Sequence, residues 1–404
     1  YDFVWTVDGG DSGYSLTGAP DSATLTVPAS ATELDEGWTC TITANDGSSD
    51  GPAGTTSVTI LTRYVDCGDG EMGLPIATCA DLEAMQDDVT ETYCLTNDVD
   101  CSLIEDFDTV GEFAGSSYFT GKLLGNGYTI SDFSTTDNGI FLRFSGEVSD
   151  LVMTNVYARN ATIASRLDGT GLIVNVSVNG TIEALPEDHT AGIGGLVANM
   201  SAPTGYGIFN SSFDGNIEGG EGTTGGIVGL MSGGEISDCT VTATISSEGR
   251  AGGVIGNQNV TSHPPYNFIA ISDSSFSGEV SGGEIVGGIS GNFHNGTMEG
   301  CFSEGSVTSP GGQVGGLVGS TQSFPSGTTA TIRLSSSTSS VTGGERVGGL
   351  VGILSGFGEH FVATIEQSFA TGNVSGTNYV GGLLGVLSGA SVIDSYATGD
   401  VVGS

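Results

Sequence analysis

The stretch VGGLVG at residues 314–319 decides the fold, because the chain keeps returning to it. It recurs as VGGLVG at 347–352, VGGLLG at 380–385 and TGGIVG at 224–229. Looser copies are IGGLVA at 193–198, AGGVIG at 251–256 and VGGISG at 286–291. Glycine is a poor residue for a strand interior, so a pair at the centre of seven apolar runs needs a geometric reason. At period two, Val314, Gly316 and Val318 share one face, and Gly315, Leu317 and Gly319 the other. Each face is apolar and thinned by glycine, as expected where a coil bends tightly or another backbone approaches. The first glycines of the pairs are Gly194, Gly225, Gly252, Gly287, Gly315, Gly348 and Gly381, at steps of 31, 27, 35, 28, 33 and 33. A period near 30 with variable loops is a solenoid signature.

A second strand lies between the glycine motifs: NSSFDGNI, SDSSFSGEV, EGCFSEGSV, EQSFATGNV and IDSYATGDV. Aligned on the aromatic residue, these put Ser212, Ser275, Cys301, Ser368 and Ser395 in one column. Phe213, Phe276, Phe302, Phe369 and Tyr396 fill the next. A parallel β-helix produces such columns, with equivalent residues about 4.8 Å apart on successive rungs. The rings either pack along the coil beneath loops or face outward as a sugar-binding platform. Cys239 and Cys301 are two repeats apart, so about 10 Å separates their rungs, beyond disulfide reach. Both are expected to be free and buried.

Composition agrees with an all-β chain. Among 404 residues there are 69 glycines and 10 prolines without a collagen period. Short runs of Val, Ile, Thr, Phe and Tyr end in Gly, Ser, Asn or Asp. Forty-seven acids against eight bases give a net charge of -39, which excludes nucleic acid as a partner and disfavours anionic membranes. No 18-residue apolar segment offers a membrane span. Eight sequons occur, at Asn160, Asn175, Asn179, Asn199, Asn210, Asn259, Asn295 and Asn373, among eighteen asparagines. With the clustered cysteines they point to an extracellular or cell-surface setting.

Residues 1–62 form a separate segment. YDFVWTVDGG reads as a strand entering a turn, GWTCTITANDG alternates as a sandwich strand does, and TTSVTILTR closes the segment. Trp5, the WTC at 38–40 and the NDG at 45–47 resemble a bacterial immunoglobulin-like module. The resemblance is partial, because the strand that would carry the partner of Cys40 is missing. Three explanations stand: a piece of a longer protein, strands donated by a neighbouring subunit, or a half-sandwich serving as a cap.

In the junction, residues 63–118, TCADLEAMQDD is the one helix. Thr78 and Asp81 fit a capping box, with Leu82 and Met85 on one face. The pattern P-x-A-T-C-x-x-L-x-x-M followed by Y-x-L-x-N-D-V-D-C-S resembles the start of bacterial GLUG-repeat surface proteins. FTGKLLGNGYTISDF and NGIFLRFSGEVSDLVMTNVYA resemble their opening rungs. This resemblance spans roughly residues 67–404. It implies a pairing of Cys79 with Cys101 and then of Cys67 with Cys94, leaving Cys40 over. It also implies a right-handed parallel β-helix over residues 119–404, of about ten rungs.

Catalysis finds little support. The bases, Arg63, Lys122, Arg143, Arg159, Arg166, Arg250, Arg333 and Arg346, line no common groove with repeated carboxylates. His189, His263, His294 and His360 sit in apparent surface loops without metal-ligand spacing, and no nucleophile or phosphate-loop motif occurs. No cofactor is expected, although NDVDCS and VDGGDSG space acids as a structural calcium site would. The sequence therefore reads as a non-enzymatic extracellular structural protein, the subunit of a filament or an adhesin stalk. Self-association would run head to tail through its ends, or by strand donation. The alternatives are a glycan-binding adhesin module and, third, a polysaccharide-degrading β-helix enzyme.

Overall fold

The computed structural model describes residues 1–17, 37–45, 50–59, 64–68, 70–111, 118–184, 192–259, 268–321, 328–356 and 362–404. The chain divides into two units. One comprises residues 1–66 and 70–75, the other residues 67–69 and 76–404.

The first unit contains one antiparallel sheet with strands in the order Gly10–Leu16, Asp2–Val7, Gly37–Asn45 and Asp50–Thr59. The first hairpin turns at Asp8 and Gly9, both at positive φ, as a tight hairpin requires. Trp38 is buried, with Trp5 at 6.3 Å and Tyr14 at 6.2 Å between ring centroids. Cys40, opposite Trp5 in the register, is buried and unpaired. Among the described residues this segment thus forms one small antiparallel sheet of four strands.

In the second unit, the helix Cys79–Glu83 continues into a 3-10 turn over Ala84–Asp87. The capping box forms as expected, with Thr78 and Asp81 satisfying each other's backbone N–H groups. Leu82 and Met85 are fully buried. Disulfides join Cys67 to Cys94 and Cys79 to Cys101, the pairing that the resemblance implies.

The remainder is a parallel β-solenoid of about nine turns. Its inner spine is one unbroken ladder, Leu123, Val148, Ile173, Ile208, Ile236, Ile271, Met298, Ile332, Ile365 and Val392, each residue paired with the next. All but Val392 are buried. Burial of such side chains contributes about 1.5–3 kcal/mol each, and the spine runs for about 43 Å.

The glycine pair marks a corner between short strands such as Gln313–Gly315 and Val318–Ser320. Neither Gly315 nor Gly316 has a positive φ, so conformational freedom is not what selects them. A Cβ on Gly315 would lie 2.7 Å from the backbone nitrogen of Gly352. One on Gly316 would strike the carbonyl oxygen of Gly349 and lie 2.8 Å from the Ser337 Cβ. Close approach of the neighbouring rung, and at Gly315 of the Val318 carbonyl in the same corner, excludes side chains there.

A second corner is built from residues in the left-handed region: Asp150, Asn175, Asn210, Asp238, Asp273, Gly300, Leu334, Gln367 and Asp394. Each from Asn210 onward is followed by Ser or Cys, giving the column Ser211, Cys239, Ser274, Cys301, Ser335, Ser368 and Ser395. This corrects the alignment made on the aromatic residue. Ser212 and Ser275 do not stack with Cys301, Ser368 and Ser395; Ser275 pairs instead with Phe302. The reason is a one-residue difference between NSSF or DSSF and GCF, QSF or DSY, measured from the turn residue. A one-residue offset turns a side chain to the other face.

Candidate functional site

The same offset splits the proposed aromatic platform. Phe213 and Phe276 point into the core and are buried, on a ladder continued by Ser303, Ser337 and Ala370. Phe302, Phe369 and Tyr396 occupy the adjacent outer column, with Ser336 between the first two. Only Phe369 and Tyr396 stack, at 5.4 Å between centroids and 8° between planes. Five continuous rings do not occur.

The thiols in the serine column are structural. Each hydroxyl accepts the N–H of the preceding rung's column residue and donates to the carbonyl two residues back in its own chain. Ser335 Oγ, for example, takes the Cys301 N–H at 3.1 Å and gives its proton to Arg333 O at 2.8 Å. Cys239 and Cys301 copy the second bond with Sγ, to Ser237 O at 3.3 Å and Glu299 O at 3.5 Å. Both are free, as the rung spacing requires, and burial pushes each thiol up to about 12.

The sequons differ in access. Asn179, Asn259 and Asn373 are exposed, and Asn160 and Asn199 are partly covered. Asn175 and Asn210 are exposed turn residues whose side-chain amides link Asp150, Asn175 and Asn210 into a chain. Asn295 is buried, and its Oδ1 accepts the Thr329 N–H at 3.2 Å, which leaves no room for a glycan. In the calcium-like stretches, Asp11, Asp98 and Asp100 accept backbone N–H groups of Gly13, Thr129 and Ser102. The Ser102 bonds hold the Asp100 carboxyl below its usual range. Among the described residues no cluster of three or more metal-ligating side chains forms.

His294 corrects the expectation of surface histidines, since burial lowers its pKa to about 4. It sits beside an amide knot in which Gln258 Oε1 accepts the N–H groups of His294 at 2.5 Å and Asn295 at 2.8 Å. Gln258 Nε2 donates to Asn295 O at 2.7 Å. His189, His263 and His360, like Arg63, lie outside the described residues.

Two of the bases, Arg143 and Arg166, line one cavity, and Arg250 borders its extension. Arg143 pairs in register with Arg166, and Arg166 with Asn199. The column continues through Leu230 and Asn257 to Asn292. A cavity of about 410 Å³ opens over this face, bordered by Arg143, Ser165, Arg166, Asp168, Asn199 and Ser201. A second cavity of about 410 Å³ shares Leu230 and Asn259 with it and so extends the groove. Asp168 takes the Arg166 Nε–H at 2.5 Å and the Tyr118 hydroxyl at 3.3 Å. The carboxylate bond holds the Arg166 guanidinium above its ordinary pKa. The Arg143 guanidinium lies 5.5 Å from the Tyr118 ring centroid and has no carboxylate partner among the described residues. The 23-residue separation of the two arginines was the available signal, since the early rungs of the spine step by 25 residues (123, 148, 173).

The family model of the GLUG motif matches residues 220–246, 343–375 and 376–402. The solenoid carries GLUG repeats. Each matched segment includes a glycine-pair corner, beginning at Gly225, Gly348 and Gly381 respectively. Among solved structures, a "putative immunoglobulin A1 protease" from Bacteroides ovatus is similar at 21% identity with a TM-score of 0.46, over 57% of this chain and 75% of that one. A second, named IgA1 protease, is 14% identical with a TM-score of 0.45, over 83% of this chain and 24% of its own length. No curated protein matches the chain.

Proposed function

We propose that this GLUG-repeat chain is an extended structural segment of a secreted or cell-surface protein, working as an adhesin stalk or filament subunit without catalysis. The observation that carries this reading is the unbroken spine from Leu123 to Val392, in which every rung pairs with the next. A ladder of that kind resists load along its axis through many parallel backbone hydrogen bonds rather than one interface. The two disulfides support a location outside the cytoplasm.

Assembly is proposed to be end to end. Successive rungs of the coil pair through parallel backbone hydrogen bonds, and two coils can stack by the same pairing. The occupant we propose is a second copy of the chain. Sedimentation velocity over a concentration series tests it, and concentration-dependent polymers that vanish in Val402→Lys support end-to-end assembly. A single monomeric species at every concentration overturns it.

A further inference from the structure

We propose that the groove headed by Arg143 binds an acidic saccharide, with a sugar carboxylate on the Arg143 guanidinium. This goes beyond the stalk reading and does not depend on it. In a chain carrying a net charge of -39, a guanidinium without a carboxylate partner among the described residues is conspicuous. Its neighbour Arg166 is neutralised by Asp168, and Lys122, Arg250, Arg333 and Arg346 each have a carboxylate within 4 Å. Arg143 therefore keeps its planar fork of donors for an external acceptor, and the Tyr118 ring beneath it fixes the orientation of that fork.

The rest of the lining selects the ligand class. Ser165, Asn199, Ser201, Ser232 and Asn259 supply hydroxyls and amides, which both donate and accept, as sugar hydroxyls require. Large apolar pockets that would anchor a peptide side chain are missing from the described walls, where Leu142, Met200 and Leu230 are the only large aliphatic groups. From Arg143 to Leu230 is three rung spacings, about 14 Å, so the site is an open trough suited to a chain rather than a closed pocket for a small molecule. Asn199 and Asn259 are sequons and face the same trough, so a glycan attached at either would fill it.

The test is calorimetric titration of the full chain, with Asn199 and Asn259 verified as unmodified by peptide mass. The probes are oligomers of galacturonic acid, the same oligomers fully methyl-esterified, and poly-glutamate. Binding of the acid form, with at least about tenfold weaker binding of the ester, is the expected result. Arg143→Gln should lose about 10- to 100-fold in affinity, Arg143→Lys a smaller part of that, and Arg333→Gln, remote from the groove, nothing. Melting temperatures of all three variants establish that they fold. No binding of the acid oligomer, equal binding of the ester, or unchanged affinity in a folded Arg143→Gln would each overturn the proposal. Binding of poly-glutamate as tight as the uronate would replace it with a peptide site.

Discussion

The backbone N–H of Cys301 is bonded to the hydroxyl of Ser335, one rung further along the coil, at 3.1 Å. The same relation holds between Cys239 and Ser274, Ser335 and Ser368, and Ser368 and Ser395. A corner that leaves the regular ladder thus has its orphaned N–H groups satisfied by a side chain of fixed length. Replacing Ser335 by Ala strands a buried donor and should cost about 1–3 kcal/mol in urea denaturation. Ser335→Cys should cost less, because thiols already occupy this column at 239 and 301. Equal losses in the two variants would show that the hydroxyl acts only by filling space.

The glycine pair makes a sharper contrast between neighbours in sequence. A Cβ added at Gly311 would meet open space, with nothing within 4 Å, whereas Gly316 faces the Gly349 carbonyl and the Ser337 side chain. Gly316→Ala is expected to cost more than about 3 kcal/mol or to yield insoluble protein, by forcing adjacent rungs apart. Gly311→Ala should fall within about 1 kcal/mol of the parent. Thermal melts of both variants decide the matter, and a harmless Gly316→Ala would refute close approach as the reason for the motif.

These two cases mark what the sequence makes legible. The glycine pair is read correctly because backbone crowding acts on adjacent residues and repeats every rung. The aromatic column is misread because Phe213 and Phe302 look equivalent, while the register follows the left-handed residues Asn210 and Gly300. Side-chain identity at a half-buried strand position varies, and a turn that only Asn, Asp or Gly enters cheaply varies less. Leu334 and Gln367 break even that rule, so the column emerges in full only from the backbone. The Arg143 groove is hidden for another reason: its two arginine rungs precede the first glycine pair, and their shorter step is masked by the later period.

Cysteine chemistry follows from the same packing. Cys40, Cys239 and Cys301 are the three free thiols, all buried, and burial raises the pKa of each. Thiolate is the reactive form, so an aromatic disulfide reagent at pH 8 should titrate no thiol in the native protein and three after unfolding. Rapid modification of Cys239 or Cys301 in the folded state would contradict their place in the corner column.

The bond between Cys79 and Cys101 closes a loop with a sequence separation of 22, tying the short helix to the coil. Loop closure of this size stabilises by about 3 kcal/mol, although its enthalpic share is model-dependent. The double variant Cys79→Ala, Cys101→Ala should therefore lose about 2–5 kcal/mol, with the loss concentrated near the helix. Hydrogen exchange provides the readout: protection should fall around Leu82 and Met85 and persist around Ile271 and Met298. Uniform loss along the spine would mean that the coil unfolds as one unit from this end.

His294 gives the fold a pH dependence of known sign. Its pKa is about 4 in the folded chain against about 6.5 for an unperturbed histidine, because burial disfavours the imidazolium. The unfolded chain therefore binds the extra proton first as pH falls. Stability contributed by the neutral ring is complete above pH 6.5 and declines as pH drops toward 4. The full loss is on the order of 3 kcal/mol, with about 2 kcal/mol of it between pH 7 and 5. Carboxylates in the unfolded chain titrate mostly below that window, which keeps the effect separable. Urea denaturation at pH 7 and pH 5 should show this drop in the parent and its absence in His294→Gln, whose side chain does not titrate. Identical slopes in the two proteins would place the His294 ring in water rather than in a covered site next to the Thr321 backbone.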